Sequence, residues 1–153
     1  MTKEELFYSE TVRRAQEQYE ARQHFDTMAT AVLGVGGIVL SAMVATVSHW
    51  VCWSIVPASI IITSFIVLAI FTIASLRIRT WQFQPSLSNL ETNIRSDEYG
   101  NNTMLMWSAK WMADAISNNK EWLTYKANCL RRSYVCLAIE ILAIGVLVLS
   151  TSI

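Results

Sequence analysis

Fifty consecutive residues without a charged side chain, Thr27 to Leu76, constrain this chain more than any other part of its sequence. About 20 apolar residues cross the hydrocarbon core of a bilayer, so this stretch is long enough for two crossings and a short connection. We predict one transmembrane helix over residues 28–47 and a second over residues 58–76. The connection between them contains two Trp, which favour the boundary between membrane and water. The stretch is therefore predicted to be a transmembrane helical hairpin.

A third apolar run, Ser133 to Ile153, is 21 residues long and contains a single charged residue. Its length fits one further crossing. No strong helix breaker separates this run from the helical pattern that begins at Lys120, so we expect one continuous helix there. A helix that precedes Lys120 is expected to end or bend near Asn118-Asn119. The predicted fold class is an all-α membrane protein, with a hairpin, a third transmembrane helix and a cytoplasmic helical layer.

The charged residues lie in blocks outside the apolar runs. All twelve Lys and Arg fall within two segments, Lys3 to Arg22 and Arg77 to Arg132, and the net charge of the chain is zero. A phosphate-binding protein would carry a basic surplus, so nucleic acid is not expected as a partner. The sequence Thr2-Lys3-Glu4-Glu5 has the form of a capping box and predicts a helix start. An apolar stripe at helical spacing follows it, formed by Tyr8, Val12, Ala15 and Tyr19.

These patterns divide the chain into four segments and orient it in the membrane. The segments are an N-terminal amphipathic helix (1–26), the hairpin (27–76), a helical region (77–132) and the third transmembrane helix (133–153). Basic residues flank the spans on one side, whereas the connection 48–57 has none. The positive-inside rule then predicts an inner-membrane protein with its N-terminus and residues 77–132 in the cytoplasm, and with its C-terminus outside.

Small residues recur every three or four positions along the first predicted span. Such residues allow helix backbones to approach closely in lipid, where packing drives association. We expect this face to contact another helix, either the second span or a second protomer. The face is formed by Thr30, Gly34, Gly37, Ser41 and Ala45. The run Gly34-Val35-Gly36-Gly37 lies in the middle of the span and is interpreted as packing, not as a phosphate-binding loop.

Glu140 is the one acidic residue inside a predicted span. It lies eight residues beyond Arg132, which is about 12 Å along a helix and well inside the hydrocarbon zone. An acid at that depth usually faces a protein interior or a water-filled path. Ser133 and Cys136 share its helix face. One hypothesis is a cation path, within the protomer or at an oligomer axis; the other is a protonated Glu140 hydrogen-bonded to Ser or Thr of the first two spans.

Aromatic residues form a second candidate site in the region before the third span. Trp107, Trp111, Trp122 and Tyr125 could provide a surface for a cytoplasmic partner or a planar ligand such as a nucleotide base. At helical spacing, the same residues are also typical of a helical core or an interfacial anchor. Arg131 and Arg132 could bind a phosphate, although lipid headgroups alone explain their position just before an apolar span.

Catalysis and metal binding have little support in the sequence. His24 and His49 are predicted to lie on opposite sides of the membrane, and no acid pair, phosphate loop or nucleophile elbow occurs. The three cysteines have no metal-ligand spacing and cannot form a closed disulfide framework. We therefore predict no enzyme activity, no catalytic residues, no cofactor and no metal.

The order of parts resembles the SLATT-type small membrane effectors of bacterial conflict and antiviral systems. The residues that carry the resemblance are Arg13-Arg14, Tyr19-Glu20-Ala21-Arg22, the two spans, and Arg77-Ile78-Arg79, so it covers about the first 80 residues. The resemblance implies an effector that perforates or depolarises the membrane when a partner, often through a nucleotide signal, activates it. The third span departs from the two-span form, and three- and four-span effectors of similar systems are the nearer comparison.

Two functions from different classes follow. The first is an oligomeric effector that permeabilises the membrane or conducts ions, controlled from the cytoplasmic side by a regulatory protein or a nucleotide signal. The alternative is a non-conducting membrane anchor or assembly subunit that docks a soluble partner through its cytoplasmic helices. Both place the chain in the lipid bilayer, and the first also predicts a homo-oligomer.

Overall fold

Three long α-helices make up almost all of the computed structural model, which describes residues 2–45, 55–77 and 101–151. The helices are α1 (Lys3–Ala45), α2 (Ile55–Leu76) and α3 (Asn101–Thr151), and these described residues contain no strand. Each helix contains a segment long and apolar enough to cross a membrane. The predicted all-α class with three candidate transmembrane helices is therefore confirmed. Most of the predicted connection, residues 48–54, lies outside the described residues.

The start of α1 follows the predicted capping box. The backbone N–H of Thr2 donates to Glu5 Oε2 at 2.8 Å, and the backbone N–H of Glu5 donates to Thr2 Oγ1 at 3.3 Å. These two bonds satisfy backbone donors that have no partner within the first turn of a helix. The local sequence alone therefore determines where α1 begins.

Neither α1 nor α3 is interrupted where its composition changes from polar to apolar. Helix α1 passes from the charged N-terminal segment into the first apolar run, and α3 continues from Lys120 into the third run, as expected. The helix that precedes Lys120 was predicted to end or bend near Asn118-Asn119. Helix α3 does not end there, so an end at this position is wrong. Asn has only a modest penalty in a helix interior, and the buried Asn119 does not break the helix.

The chain forms two compact units. The polar unit comprises residues 1–23 and 78–124, and the apolar unit comprises residues 24–77 and 125–153. Helices α1 and α3 contribute to both units, whereas α2 belongs to the apolar unit. The division lies within helices, near the places where the sequence becomes apolar.

In the apolar unit, α1 and α3 run parallel and α2 runs antiparallel to both. Asp26 of α1 pairs with Lys126 of α3, and Val39 packs in the same cluster as Ala143, so residue numbers increase together in these two helices. The Thr72 hydroxyl of α2 lies 3.3 Å from that of Ser133. One end of the unit consequently contains Asp26, Arg77, Lys126, Arg131 and Arg132, and we call it the charged end.

Two layers of buried apolar side chains hold the three helices of this unit together. The near cluster lies toward the charged end and consists of Ala29, Val32, Leu68 and Leu130. The far cluster consists of Val39, Met43, Ala58, Ile61, Ala143 and Leu147. Along α1 these buried positions are separated by three, seven and four residues, which places them on one helix face.

In the polar unit, α1 contacts α3 through a face rotated from the predicted stripe. Thr11 and Ala15 are buried, whereas Val12 and Tyr19 are exposed. The Gln18 side-chain amide donates to the Ile116 carbonyl at 3.0 Å. Ala109 and Ala115 of α3 are also buried. Ala15 of the predicted stripe is therefore packed inside the unit, whereas contact of Val12 and Tyr19 with a membrane surface or another helix stays a prediction.

Candidate functional site

The Glu140 side chain is enclosed in the middle of the apolar unit. It has no exposed surface, and neither carboxyl oxygen has a hydrogen-bond partner among the described residues. Buried polar groups in proteins are nearly always hydrogen-bonded, so a partnerless buried carboxyl requires an explanation. We take this carboxyl and its surroundings as the candidate functional site.

Gly36 of α1 provides the space that the carboxyl occupies. A Cβ atom added at Gly36 would lie 3.2 Å from Glu140 Oε2, 3.3 Å from Leu68 Cδ1 and 3.4 Å from Phe65 Cδ2. A side chain at this position would therefore crowd all three neighbours. The site is thus built by all three helices: glycine backbone from α1, apolar side chains from α2, and the acid from α3.

The distance of the Glu140 carboxyl from the charged end can be estimated along each of the three helices, and the three estimates agree. Glu140 is eight residues from Arg132, Gly36 is ten from Asp26, and Leu68 is nine from Arg77. At 1.5 Å per residue these separations are about 12–15 Å from the charged end. The hydrocarbon core of a bilayer is about 30 Å thick, so in a bilayer that begins at the charged end the carboxyl would lie close to the midplane.

The two sides of this layer differ in polarity. Toward the charged end, buried hydroxyls line the contact of α2 with α3, where Thr72 pairs with Ser133. Ser133 also donates to the Cys129 carbonyl at 3.2 Å, and the buried Ser75 hydroxyl has no partner among the described residues. Beyond Ser64 on α2 and Glu140 on α3, every buried residue among those described is apolar. Polar groups therefore extend from the charged end toward Glu140 but are not found in the far cluster.

The predicted trio of Glu140, Ser133 and Cys136 lies on the inner side of α3. Ser133 is fully buried, Cys136 is half-buried, and the Cys136 carbonyl accepts a hydrogen bond of 2.9 Å from the Ser64 hydroxyl. The hydroxyls of Ser64, Thr72 and Ser133 thus have other partners. The expected hydrogen bond from a Ser or Thr to Glu140 does not occur among the described residues.

The predicted small-residue face of α1 points away from the other two helices of the unit. Thr30, Gly34, Ser41 and Ala45 are exposed and Gly37 is half-buried. A Cβ added at Gly34 or Gly37 would meet nothing within 4 Å. The helices of one protomer instead meet at the face that contains Gly36, so contact of the small-residue face with a second protomer remains a prediction. The general rule for small residues predicted close packing on α1, but not which glycine would supply it.

The aromatic candidates lie along one side of α3. Trp107 and Tyr125 are exposed, and Trp111 and Trp122 are half-buried. Trp107, Trp111 and Trp122 belong to the polar unit, whereas Tyr125 belongs to the apolar unit. Their use as a partner or ligand surface remains a prediction.

Interactions between helices also occur at the charged end. The Lys126 ammonium donates to Asp26 Oδ1, and both side chains are partly buried. The Arg132 guanidinium lies 5.4 Å from the centre of the Phe71 ring, within the range of a cation–π interaction. These contacts connect α3 to α1 and to α2 at the depth where charged side chains reach water.

The described parts of the chain contain no group of three or more His, Cys, Asp or Glu placed to bind a metal ion. The geometry around Glu140 therefore provides a single acid in an apolar enclosure. Comparison of the chain with protein-family models, with curated proteins and with solved structures gave no match.

Proposed function

We propose that this protein is a membrane effector that permeabilises the bilayer or conducts ions when its three-helix apolar unit opens around Glu140. The observation that carries the proposal is the buried Glu140 carboxyl without a hydrogen-bond partner at the depth of the bilayer midplane. The resemblance to small membrane effectors predicts the same class of activity and stays a prediction.

A purely structural role would be better served by an apolar side chain. An ionised carboxylate that is buried without a partner costs several kcal/mol, and a neutral one still lacks its hydrogen bonds. Acids at this depth commonly belong to ion or proton pathways. Glu140 therefore reduces the stability of the closed unit, and it would gain solvation if water or a cation reached it.

The arrangement described here corresponds to a closed state. The near and far clusters cover Glu140 on both sides, so conduction requires the helices to separate or rotate. The hydroxyls of Thr72 and Ser133 would provide polar contacts for water entering from the charged end. The far cluster has no such groups, and we propose that it forms the gate.

Control of this opening is proposed to come from the polar unit. Helices α1 and α3 both begin among residues of that unit and continue into the apolar unit, so a ligand or partner bound there can act on two of the three gate helices. The basic residues at the charged end favour a cytoplasmic location for that end of the apolar unit. An activator in this scheme is a cytoplasmic protein or nucleotide signal, and several protomers would assemble around one opening.

Flux through proteoliposomes tests the proposal. When a potential is applied across the membrane, we expect proteoliposomes with the wild-type protein to release an enclosed cation-sensitive dye or to lose a K⁺ gradient. The Glu140→Gln variant should lower the flux by about tenfold or more, since the charge that would replace hydration of a cation is lost. Glu121→Gln is the matched control, because it makes the same chemical change at an exposed site on the same helix. Equal flux from both variants would refute the proposal.

The alternative function, a non-conducting anchor for a soluble partner, is favoured by exposed apolar side chains in the polar unit. Leu6 is 59% exposed, Met106 is 50% exposed and Trp107 is 38% exposed. Exposed apolar surface outside a membrane often marks a protein-binding site. The anchor predicts no flux from any variant, together with loss of partner capture when Met106 and Trp107 are replaced by Ser.

A further inference from the structure

A groove runs between α2 and α3 at the charged end of the apolar unit. Its volume is about 520 Å³, and it is lined by Phe71, Asn128, Arg131, Arg132, Val135 and Cys136. Both arginines are exposed, and neither has a carboxylate partner within the described ranges. Stacking on Phe71 holds the Arg132 guanidinium at the wall of the groove. This end therefore offers two guanidinium groups beside an aromatic ring.

A second cavity extends along the same two helices, farther from the charged end. Its volume is about 390 Å³, and it is lined by Ser59, Ile60, Thr63, Ser64, Val67, Cys136 and Ile139. Cys136 lines both cavities, so they adjoin. The lining of the second cavity has no charged side chain. The combined groove is thus basic at one end and uncharged along the remainder.

The groove reaches the depth of Glu140. Its walls on α2 extend from Phe71 to Ser59, twelve residues or about 18 Å along a helix, and pass Leu68, which lies beside Gly36. Half of the hydrocarbon core measures about 15 Å. An acyl chain that begins at the depth of Phe71 would therefore reach the end of its leaflet within the groove.

We infer that this groove binds one anionic phospholipid. The phosphate lies between Arg131 and Arg132, within reach of the Asn128 amide, and an acyl chain lies along Val67 and Ile139. Guanidinium groups bind phosphate oxygens in a bidentate manner, and an aromatic ring beneath one of them keeps it in place. A second copy of this chain could occupy the groove only if it supplied a carboxylate at the depth of the two arginines. Asp26, the acid at that depth on α1, already pairs with Lys126. The site is independent of conduction through the unit.

Lipid retention by the full-length protein tests the site. The protein is purified in a mild detergent, incubated with phosphatidylglycerol or phosphatidylcholine of the same acyl chains, and examined by native mass spectrometry and thermal unfolding. We expect one phosphatidylglycerol to be retained and to raise Tm, with affinity about tenfold or more above that of phosphatidylcholine. Both lipids carry the phosphate, so the difference is expected from the choline cation of phosphatidylcholine, which the two guanidinium groups repel.

Variants separate the headgroup site from the acyl groove. Arg131→Gln with Arg132→Gln should remove the preference for phosphatidylglycerol, and Arg131→Lys with Arg132→Lys should retain part of it. Val67→Trp should weaken retention of both lipids by filling the groove. The matched control is Lys110→Gln with Lys120→Gln, which removes two exposed charges elsewhere on α3 and should leave retention unchanged.

Three outcomes would overturn the inference. The first is equal retention of the two lipids by the wild type, and the second is unchanged preference in the Arg131→Gln, Arg132→Gln protein with a wild-type circular dichroism spectrum. The third is displacement of phosphatidylglycerol by millimolar inorganic phosphate or glycerol 3-phosphate, which would identify a site for a soluble phosphate compound. Failure of any of these lipid tests leaves the flux experiment on Glu140 unaffected.

Discussion

At the scale of single residues, Glu140 and Gly36 form a pair in which each explains the other. The carboxyl needs space at the centre of three helices, and the missing side chain of Gly36 provides it. An apolar residue at position 140 could fill the same space and would not leave two oxygens without partners. Substitutions at the two positions therefore test different properties. A change at Gly36 alters the space available to the carboxyl, and a change at Glu140 alters the charge.

Replacing Gly36 with Ala is expected to destabilise the apolar unit, although Ala is the better helix former. The added methyl group would lie 3.2 Å from Glu140 Oε2 and 3.3 Å from Leu68 Cδ1, so it overpacks the centre of the unit at a cost of about 1–3 kcal/mol. Gly34→Ala and Gly37→Ala are matched controls that meet nothing within 4 Å. Thermal unfolding in detergent should give a lower Tm for Gly36→Ala alone. A uniform response of the three variants would contradict the packing described here.

Replacing Glu140 with Met is expected to stabilise the same unit. Met has a similar length and leaves no buried oxygen without a partner, so the free energy of unfolding should rise by about 1–3 kcal/mol. Denaturant titration in detergent micelles, followed by circular dichroism, measures the change. Ile144→Met on the same helix serves as a control for the introduction of Met, since Ile144 packs against the far cluster. A lower stability of Glu140→Met would assign Glu140 a structural role and weaken the proposal of a conduction site.

Glu10 is the residue in the polar unit for which a pH effect is expected. Hydrogen bonds from Arg13 and then Arg14 lower the pKa of the Glu10 carboxyl from 4.5 to about 2. A lowered pKa in the folded state stabilises that state above pH 4.5, and this contribution is lost as the pH falls toward 2. NMR titration should find Glu10 half-protonated near pH 2 in the wild type and nearer 4.5 in the Arg13→Gln, Arg14→Gln variant. Coincident titration curves would show that the ion pairs do not form in solution.

At the scale of the helices, the features predicted correctly are those that depend on local sequence. The helix start at Thr2 needs only the Thr2–Glu5 exchange, and the three apolar segments follow from runs of uncharged residues. Continuity through Lys120 follows from the absence of Gly and Pro. None of these features requires knowledge of which helices are neighbours.

The features that the sequence did not reveal depend on contacts between helices. Gly34, Gly36 and Gly37 are equally small, and only the position of Glu140 and Leu68 makes Gly36 the buried one. The rotation of α1 toward Thr11 likewise reflects the Gln18 contact with the Ile116 backbone, which no local pattern encodes. The groove beside Arg132 combines residues from two helices. The acid itself could be found from sequence, because a lone charge in an apolar run is visible without any partner.

For the whole molecule, the distribution of charge indicates how the apolar unit would sit in a bilayer. One end of the unit contains Asp26, Arg77, Lys126 and Arg132. Among the described residues farther from that end, Glu140 is the only Asp, Glu, Lys or Arg. Phospholipid headgroups favour such an end, and the uncharged exterior of the helices suits the acyl chains. The proposed lipid site is a local and specific form of this general match.

The small-residue face of α1 is the surface at which we predict assembly of protomers. The hydroxyls of Thr30 and Ser41 donate to backbone carbonyls of their own helix at 3.0 and 2.8 Å, so these side chains lie close to the backbone. With Gly34 and Gly37 between them, they leave a shallow surface that a second helix can approach closely. Within one protomer this surface is exposed, and we propose that a second protomer covers it.

Substituting Gly37 with Leu is expected to disrupt this assembly without altering the protomer. The new side chain meets nothing within 4 Å of its Cβ inside the protomer, but it would hold two approaching helices apart. Chemical crosslinking in native membranes should show oligomers of the wild type reduced several-fold, with an unchanged Tm of the apolar unit. Gly145→Leu makes the same substitution at an equally open site on α3, outside the small-residue face, and should preserve the oligomers. If both variants crosslink like the wild type, or if the wild type is monomeric at every density, the small-residue face of α1 is a lipid-facing surface.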